Sequence, residues 1–473
     1  MKKAFSKLIF IILTIAGCAN MATAYSEKTT SAAASGVLAS GSVANGAAKK
    51  AGDEFRAAWV CSVLNLDFPS AKGLGADELK SEVDEIIKNA VEIGLNALIV
   101  QVRPCGDALY RSDIFPWSAF LTGAQGKAPD GGFDPLAYWI ERAHANGLEL
   151  HAWVNPYRLS HSSENITNIG ALSEGNPARS DPSRVVAYND ALYYDPGVPA
   201  NIKLVIRGVS EIIGKYDVDG IHLDDYFYPG KDFPDEATYL KYGNGADKAD
   251  WRRANVNAVI RGIRRAVARQ NAVNAASAAN KVGATSTANK TGAASAANKA
   301  DAASATNIAG AASAANKTGA ARRIKFGVSP FAIWRNLSSS PLGSDTKGNE
   351  AYSAMYADTR RWVKSGWLDY ICPQIYWYQG FEIADYNKIL SWWADVCDGT
   401  GVDLYVGHAA YREAENGPEA GADRDAHWDG EILRQLKYNA AKYPDRVKGS
   451  VFFRYGSLTG DLGRRIAGYY QAK

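Results

Sequence analysis

The sequence predicts an α/β fold, a (β/α)8 TIM-type barrel in a single domain that a low-complexity insertion interrupts. Three observations predict it. Eight short apolar segments alternate with segments of helical period along the 473 residues. That alternation also allows a doubly wound open sheet, but no glycine-rich dinucleotide fingerprint follows the first strand. The stretch Val218–Pro229 alternates apolar and polar residues and ends in two adjacent carboxylates, Asp224 and Asp225. Strand alternation puts Ile221 and Leu223 on the helix-facing side, and Gly220, His222 and Asp224 toward the barrel axis or its mouth. The C-terminal end of a barrel strand is where this architecture carries its chemistry.

The elements follow in order. Arg56 to Val63 is the first strand, and Asp77 to Ile93 an amphipathic helix with Asp77 as N-cap and Gly94 as its C-terminal stop. Asn96 to Pro104 is the second strand, with Leu98, Val100 and Val102 on one face and Ile99, Gln101 and Arg103 on the other. Asp134-Pro135 opens the second helix and Gly147 closes it. Leu148 to Tyr157 is strand three, Pro199 to Lys215 helix three, Val218 onward strand four, and Ala254 to Ala268 helix four. Arg323 to Trp334, Leu368 to Trp377, Val402 to Tyr411 and Val447 to Tyr455 are the last four strands. Tyr352 to Lys364, Tyr386 to Cys397, Asp429 to Tyr443 and a short helix ending near Ala472 follow them.

Between helix four and strand five the composition collapses. Residues 271–321 are nearly all Ala, Asn, Ser, Gly, Thr and Lys, with AASAANK as an imperfect repeat and Lys281, Lys290, Lys299 and Lys317 on a nine-residue period. Such a segment has little apolar surface to offset its ordering entropy, so it reads as a disordered insertion on the face opposite the site. The N-terminus is a targeting segment. Lys2, Lys3 and Lys7 precede an apolar run from Leu8 to Ala16 that ends in Ile15-Ala16-Gly17-Cys18. This resembles a bacterial lipobox, with residues 1–18 as signal peptide, Cys18 as the lipidated residue and 19–53 as a flexible tether. Ordinary cleavage near Ala22-Thr23-Ala24 is the alternative. The expectation is an exported protein, lipid-anchored to the cell envelope and facing the periplasm or held at the outer membrane, since Ala19 gives no sign of inner-membrane retention.

A net charge of +3 without a Lys/Arg block excludes a nucleic-acid binder. Cys61, Cys105, Cys372 and Cys397 lack zinc-type spacing and read as buried thiols, although export permits disulfides. No metal or other cofactor is implied. The 12 Trp, 25 Tyr and 14 Phe are mostly core. Those at strand ends, as in Tyr376-Trp377-Tyr378, are also suited to stacking on the apolar face of a pyranose.

The chain resembles the glycosyl-hydrolase-like family ten domain of exported bacterial proteins. The matching stretches are Arg56-Ala57-Ala58-Trp59-Val60, Gln101-Val102-Arg103-Pro104 with Gly106-Asp107-Ala108-Leu109-Tyr110, His151 to Arg158 (HAWVNPYR), Asp219 to Pro229 (DGIHLDDYFYP) and Pro373 to Trp377 (PQIYW). They span most of residues 54–473 outside the insertion. Cys105 departs from the family pattern, and no separate module follows strand eight. The resemblance implies a barrel and hydrolysis of glycosidic bonds; characterised relatives act on peptidoglycan glycan strands. Strand four also looks like that of α-amylase-type barrels, whose Asp at the position of Asp224 is the nucleophile.

Glycoside hydrolysis ordinarily needs one protonated carboxyl and one carboxylate. Asp224 is the candidate carboxylate. Asp225 and Asp107 are the candidates for the acid, with Glu382 and Glu413 held in reserve and Glu149 expected too deep to reach substrate. Arg103, Trp153, Asn155, Tyr157, Arg158, His222, Gln374, Tyr376 and Trp377 are the expected substrate-binding residues, and Trp334 a further stacking candidate. Arg103 has a structural alternative, pairing with Asp224. The other function classes are a glycan-binding barrel without turnover and a metal-dependent deacetylase with His222, Asp224 and Asp225 as ligands. The partner expected is a polysaccharide, and the membrane is reached only through the lipid anchor.

Overall fold

The computed structural model describes residues 54–164, 166–288, 322–416 and 425–473. The signal peptide, Cys18 and the tether lie outside the described residues, as does the insertion from 289 to 321.

The fold is a closed parallel barrel, as the alternation predicts. Its strands are β1 (Phe55–Val60), β2 (Ala97–Arg103), β3 (Glu149–Val154), β6 (Gly220–Leu223), β7 (Lys325–Val328), β8 (Tyr370–Ile371) with its continuation β9 (Gln374–Ile375), β10 (Asp403–His408) and β11 (Val447–Phe452). β11 pairs with both β10 and β1, which closes the ring. A short antiparallel hairpin, β4 (Val185–Tyr188) and β5 (Ala191–Tyr194), rises from the loop after β3 and escaped the sequence reading. Strand six is split because Pro373 offers no N–H to the ladder; its carbonyl still accepts from Gly407 N at 3.0 Å.

Among the described residues, the longer helix after each barrel strand is α1 (Ala76–Ile93), α2 (Pro135–Ala145), α3 (Pro199–Lys215), α4 (Lys248–Ala288), α5 (Thr359–Lys364), α6 (Tyr386–Cys397), α7 (Glu431–Lys442) and α8 (Asp461–Gln471). α1 is capped by Gly75 and not by Asp77: the Gly75 N–H donates to Glu78 Oε2 at 2.8 Å. Gly94 ends it at φ +85°, a conformation that glycine adopts without the Cβ penalty. α4 continues past Asn271, where the insertion was expected to begin. Asn271 itself clamps the base of the insertion, donating to Ile324 O at 2.9 Å and accepting from Ile324 N at 2.8 Å.

Ile221 and Leu223 are fully buried in the shell between barrel and helices, each contributing about 1.5–3 kcal/mol of burial. Inside the ring, Phe55, Ala57, Trp59, Ile99, Trp153, Tyr370, Tyr405 and Val451 form a second apolar cluster. The four cysteines outside the targeting segment are buried and are not joined in disulfides among the described residues. Among the described residues, no helix is long and apolar enough to cross a membrane.

Candidate active site

The site lies where β6 ends. Asp224 is 4 % exposed and its carboxylate is held by three donors. Oδ2 accepts from Trp153 Nε1 and from Asn155 Nδ2, each at 3.0 Å, and Oδ1 accepts from the Tyr226 N–H at 3.2 Å. Burial raises its carboxyl above the ordinary range, and the Arg158 charge with the three donors pulls it back. Arg158 is fixed in turn. Its N–H donates to Asn155 Oδ1, its guanidinium donates twice to Pro104 O, and the same guanidinium lies 5.4 Å over the Tyr226 ring.

Asp225 is half-buried and differently supplied. Gln374 Nε2 donates to its Oδ1 at 3.2 Å and also to Ser329 O at 2.8 Å. Burial and the neighbouring Asp224 charge push the Asp225 carboxyl up to about 7. Burial raises both carboxyls, and it is the unequal donor supply of the two that divides acid from carboxylate. The donor-rich Asp224 suits the ionised role, and Asp225 suits the protonated one.

The rim on the β9 side is aromatic. Half-buried Tyr376 meets Tyr411 edge-on at 6.1 Å and lies 5.9 Å from Phe453. Half-buried Trp377 stands perpendicular to Phe331 at 5.6 Å. Trp334, by contrast, is buried and stacked on Trp392 as packing.

Thus Asp224 with Trp153, Asn155 and Arg158, and Asp225 with Gln374, form two hydrogen-bonded sets that meet at the adjacent aspartates, with Tyr376 and Trp377 at the rim. Four expected site residues are placed elsewhere. Arg103 sits past a bulge: Gln101 pairs with Trp153 but Arg103 with Val154, which rotates its side chain outward. Its guanidinium lies 4.5 Å over Phe115 and against Gly208 of α3, where a Cβ would come within 2.2 Å of Nη1, so it neither lines the mouth nor pairs with Asp224. Tyr157 is 1 % exposed in the outer shell, and burial raises its hydroxyl above the usual range. Asp107 is 2 % exposed, near Ser118 and 3.4 Å from Gln125 Nε2, and no hydrogen bond joins it to the aspartate pair; burial pushes its carboxyl up to about 6. His222 is fully buried below the site, so it supports the floor and does not touch the mouth.

His222 spends its ring nitrogens on Trp59, Ser329 and Tyr370, which leaves none directed at Asp224 or Asp225 for a shared metal. Glu413 is tied to the Ile432 N–H and to Arg465, whereas Glu382 is exposed on the loop after β9. Glu149 is at the far end of the barrel, as expected. Sequence reasoning passed over Ser329, whose carbonyl orients Gln374; a single serine after a strand carries no signal of that role. Tyr226 was findable, since it adjoins the carboxylates in Asp224-Asp225-Tyr226.

The chain matches the family described as glycosyl hydrolase-like 10 over residues 54–280 and 288–427. It is 39% identical over 412 residues to glycosyl hydrolase YngK of Bacillus subtilis (strain 168), covering 86% of this chain and 69% of that protein. It is 33% identical over 442 residues to glycosyl hydrolase DigH of Escherichia coli (strain K12), covering 88% of this chain and 87% of that protein. Among solved structures, the PgaB (BpsB) glycoside hydrolase domain of Bordetella bronchiseptica aligns at a TM-score of 0.46 and 11% identity, over 88% of this chain and 98% of that one. Alpha-L-fucosidase isoenzyme 2 of Paenibacillus thiaminolyticus aligns at 0.46 and 15%, over 89% and 49%.

Proposed function

The chain belongs to the glycosyl hydrolase-like 10 family and is a glycoside hydrolase, and on that premise we propose that Asp224 and Asp225 cleave glycosidic bonds in the glycan strands of peptidoglycan. The observation that carries the assignment of roles is the unequal donor supply. Three hydrogen bonds and Arg158 hold Asp224 as a carboxylate. One side-chain donor serves Asp225, whose carboxyl is raised to about 7. Asp225 gives its proton to the leaving oxygen as the bond breaks, and the negative Asp224 attacks or stabilises the oxocarbenium-like centre. Tyr376 and Trp377 offer ring faces to the neighbouring sugars.

The ring faces of Tyr376 and Trp377 at the rim suit the apolar faces of the sugars in a glycan strand, and a lipid anchor at Cys18 in the cell envelope would hold the barrel within reach of the wall. Digestion of purified peptidoglycan, with and without its stem peptides, tests the substrate when products are read by mass. Disaccharide-repeat fragments with new reducing ends are the expected products. Intact strands alongside cleavage of another polysaccharide would move the assignment to that polymer.

A further inference from the structure

Below the aspartate pair the barrel axis is filled by a chain of hydrogen bonds that the hydrolytic roles do not use. Trp59 Nε1 donates to His222 Nε2 at 3.1 Å, and His222 Nδ1 lies 3.0 Å from the Tyr370 hydroxyl. The same hydroxyl lies 2.9 Å from His151 Nδ1, and His151 Nε2 is 3.3 Å from Glu149 Oε2, which Lys325 Nζ also meets at 3.2 Å. His151, His222 and Tyr370 are fully buried. Two strand glycines make the room: a Cβ on Gly220 would come within 2.5 Å of the His151 ring, and one on Gly327 within 2.0 Å of the Tyr370 ring.

Only one assignment of protons satisfies the chain. An indole N–H can only donate, so His222 Nε2 must accept. Neutral His222, kept so by burial and by His151, then carries its proton on Nδ1 and donates to Tyr370. The tyrosine hydroxyl is free to donate to His151 Nδ1, and His151 Nε2–H donates to Glu149. Every donor therefore points away from the mouth, toward a carboxylate at the opposite face, where a cavity of about 940 Å³ is lined by Glu54, Glu149, Lys325, Asp403, Tyr405 and Lys448.

The upper end of the chain meets the site at two points. Ser329 Oγ bonds His222 Nε2 at 2.8 Å, while the carbonyl of Ser329 fixes the Gln374 amide that reaches Asp225. The Trp59 ring fills the space left by Gly407, which pairs in register with Gln374.

We propose that Glu149, His151, Tyr370 and His222 are positioning residues: a directional hydrogen-bond chain that orients Trp59 and Ser329 and, through them, the Gln374–Asp225 pair. This rests on the hydrolytic reading for its kinetic consequence but not for its proton assignment.

The test has two arms. Imidazole ¹⁵N spectra of the full chain should show the Nδ1–H tautomer for His222 and the Nε2–H tautomer for His151. In kinetics, Tyr370→Phe and Glu149→Leu should each lower kcat about tenfold to a hundredfold with KM within about twofold, while Glu149→Gln, which keeps an acceptor, should restore most of kcat. Glu149 is at the accessible far end, so its variants report on the chain without emptying the core. His222 protonated at Nε2, or full kcat in Glu149→Leu, would overturn the proposal. The spectra decide the chain even where no glycan is cleaved, so its failure is distinguishable from failure of the hydrolytic reading.

Discussion

Gln374 reaches across the barrel mouth from the split sixth strand to hydrogen-bond Asp225 at the end of the fourth, at 3.2 Å. This is the side-chain donor that Asp225 receives, set against the two side-chain donors and the backbone N–H on Asp224. The unequal pair leads to the first two predictions.

Asp224→Asn should lower turnover about a thousandfold or more while leaving glycan binding and the fold in place, because the amide matches the carboxylate in size but not in charge. Release of reducing ends, read beside calorimetric binding of a glycan fragment, checks both halves. Wild-type turnover in this variant would remove Asp224 from the mechanism.

Asp225 gives a pH dependence in activity and in stability. With its carboxyl near 7, kcat/KM should fall as pH rises through that value, and Gln374→Met should move the fall to higher pH by removing a bond that favours the ionised form. For stability, the folded pKa is raised above the model-compound value of 3.8, so the folded state binds the proton more tightly. Stability therefore declines as pH rises between those two values, and Asp225→Asn should raise Tm at about pH 8 with the gain vanishing by about pH 4. Thermal melts across that range are the check.

Arg103 should behave as a structural residue. Arg103→Ala removes the cation over Phe115 and opens space beneath α3, at a cost of about 2–4 kcal/mol. KM for glycan should stay within about twofold in the folded fraction, since the side chain is walled off from the mouth. A KM rise of about tenfold without loss of Tm would return it to the substrate.

The insertion and its base should separate cleanly. Deleting residues 289–320 should leave Tm and turnover nearly unchanged, whereas Asn271→Ala should cost about 1–2 kcal/mol by orphaning both backbone groups of Ile324. Urea melts of the two variants give the comparison.

The barrel was legible because period-two and period-3.6 patterns are strong signals over eight repeats, and because Ile221, Leu223 and His222 obey alternation. The aspartate pair was legible for the same reason, lying directly after a well-patterned strand. What failed was local. One bulge turned Arg103 out of the mouth, and Pro373 cut a predicted strand in two. The long axial chain from Trp59 to Glu149 was invisible, since its partners are up to 219 positions apart and meet only when the ring closes.

Lys473 Nζ lies 2.6 Å from Glu54 Oε2, which brings the two ends of the described barrel into contact beside the far-face cavity. The Asn271–Ile324 clamp marks a second place where the chain can be opened without loosening a strand. A circular permutant that joins residue 473 to 54 through a short linker and starts within the repeat would keep all eight strands in their order around the ring. Its new ends would leave the barrel at the Asn271–Ile324 clamp, at the strand ends opposite Asp224. A reporter domain or a surface tether could then be attached there without crossing the path of a polymer entering the mouth.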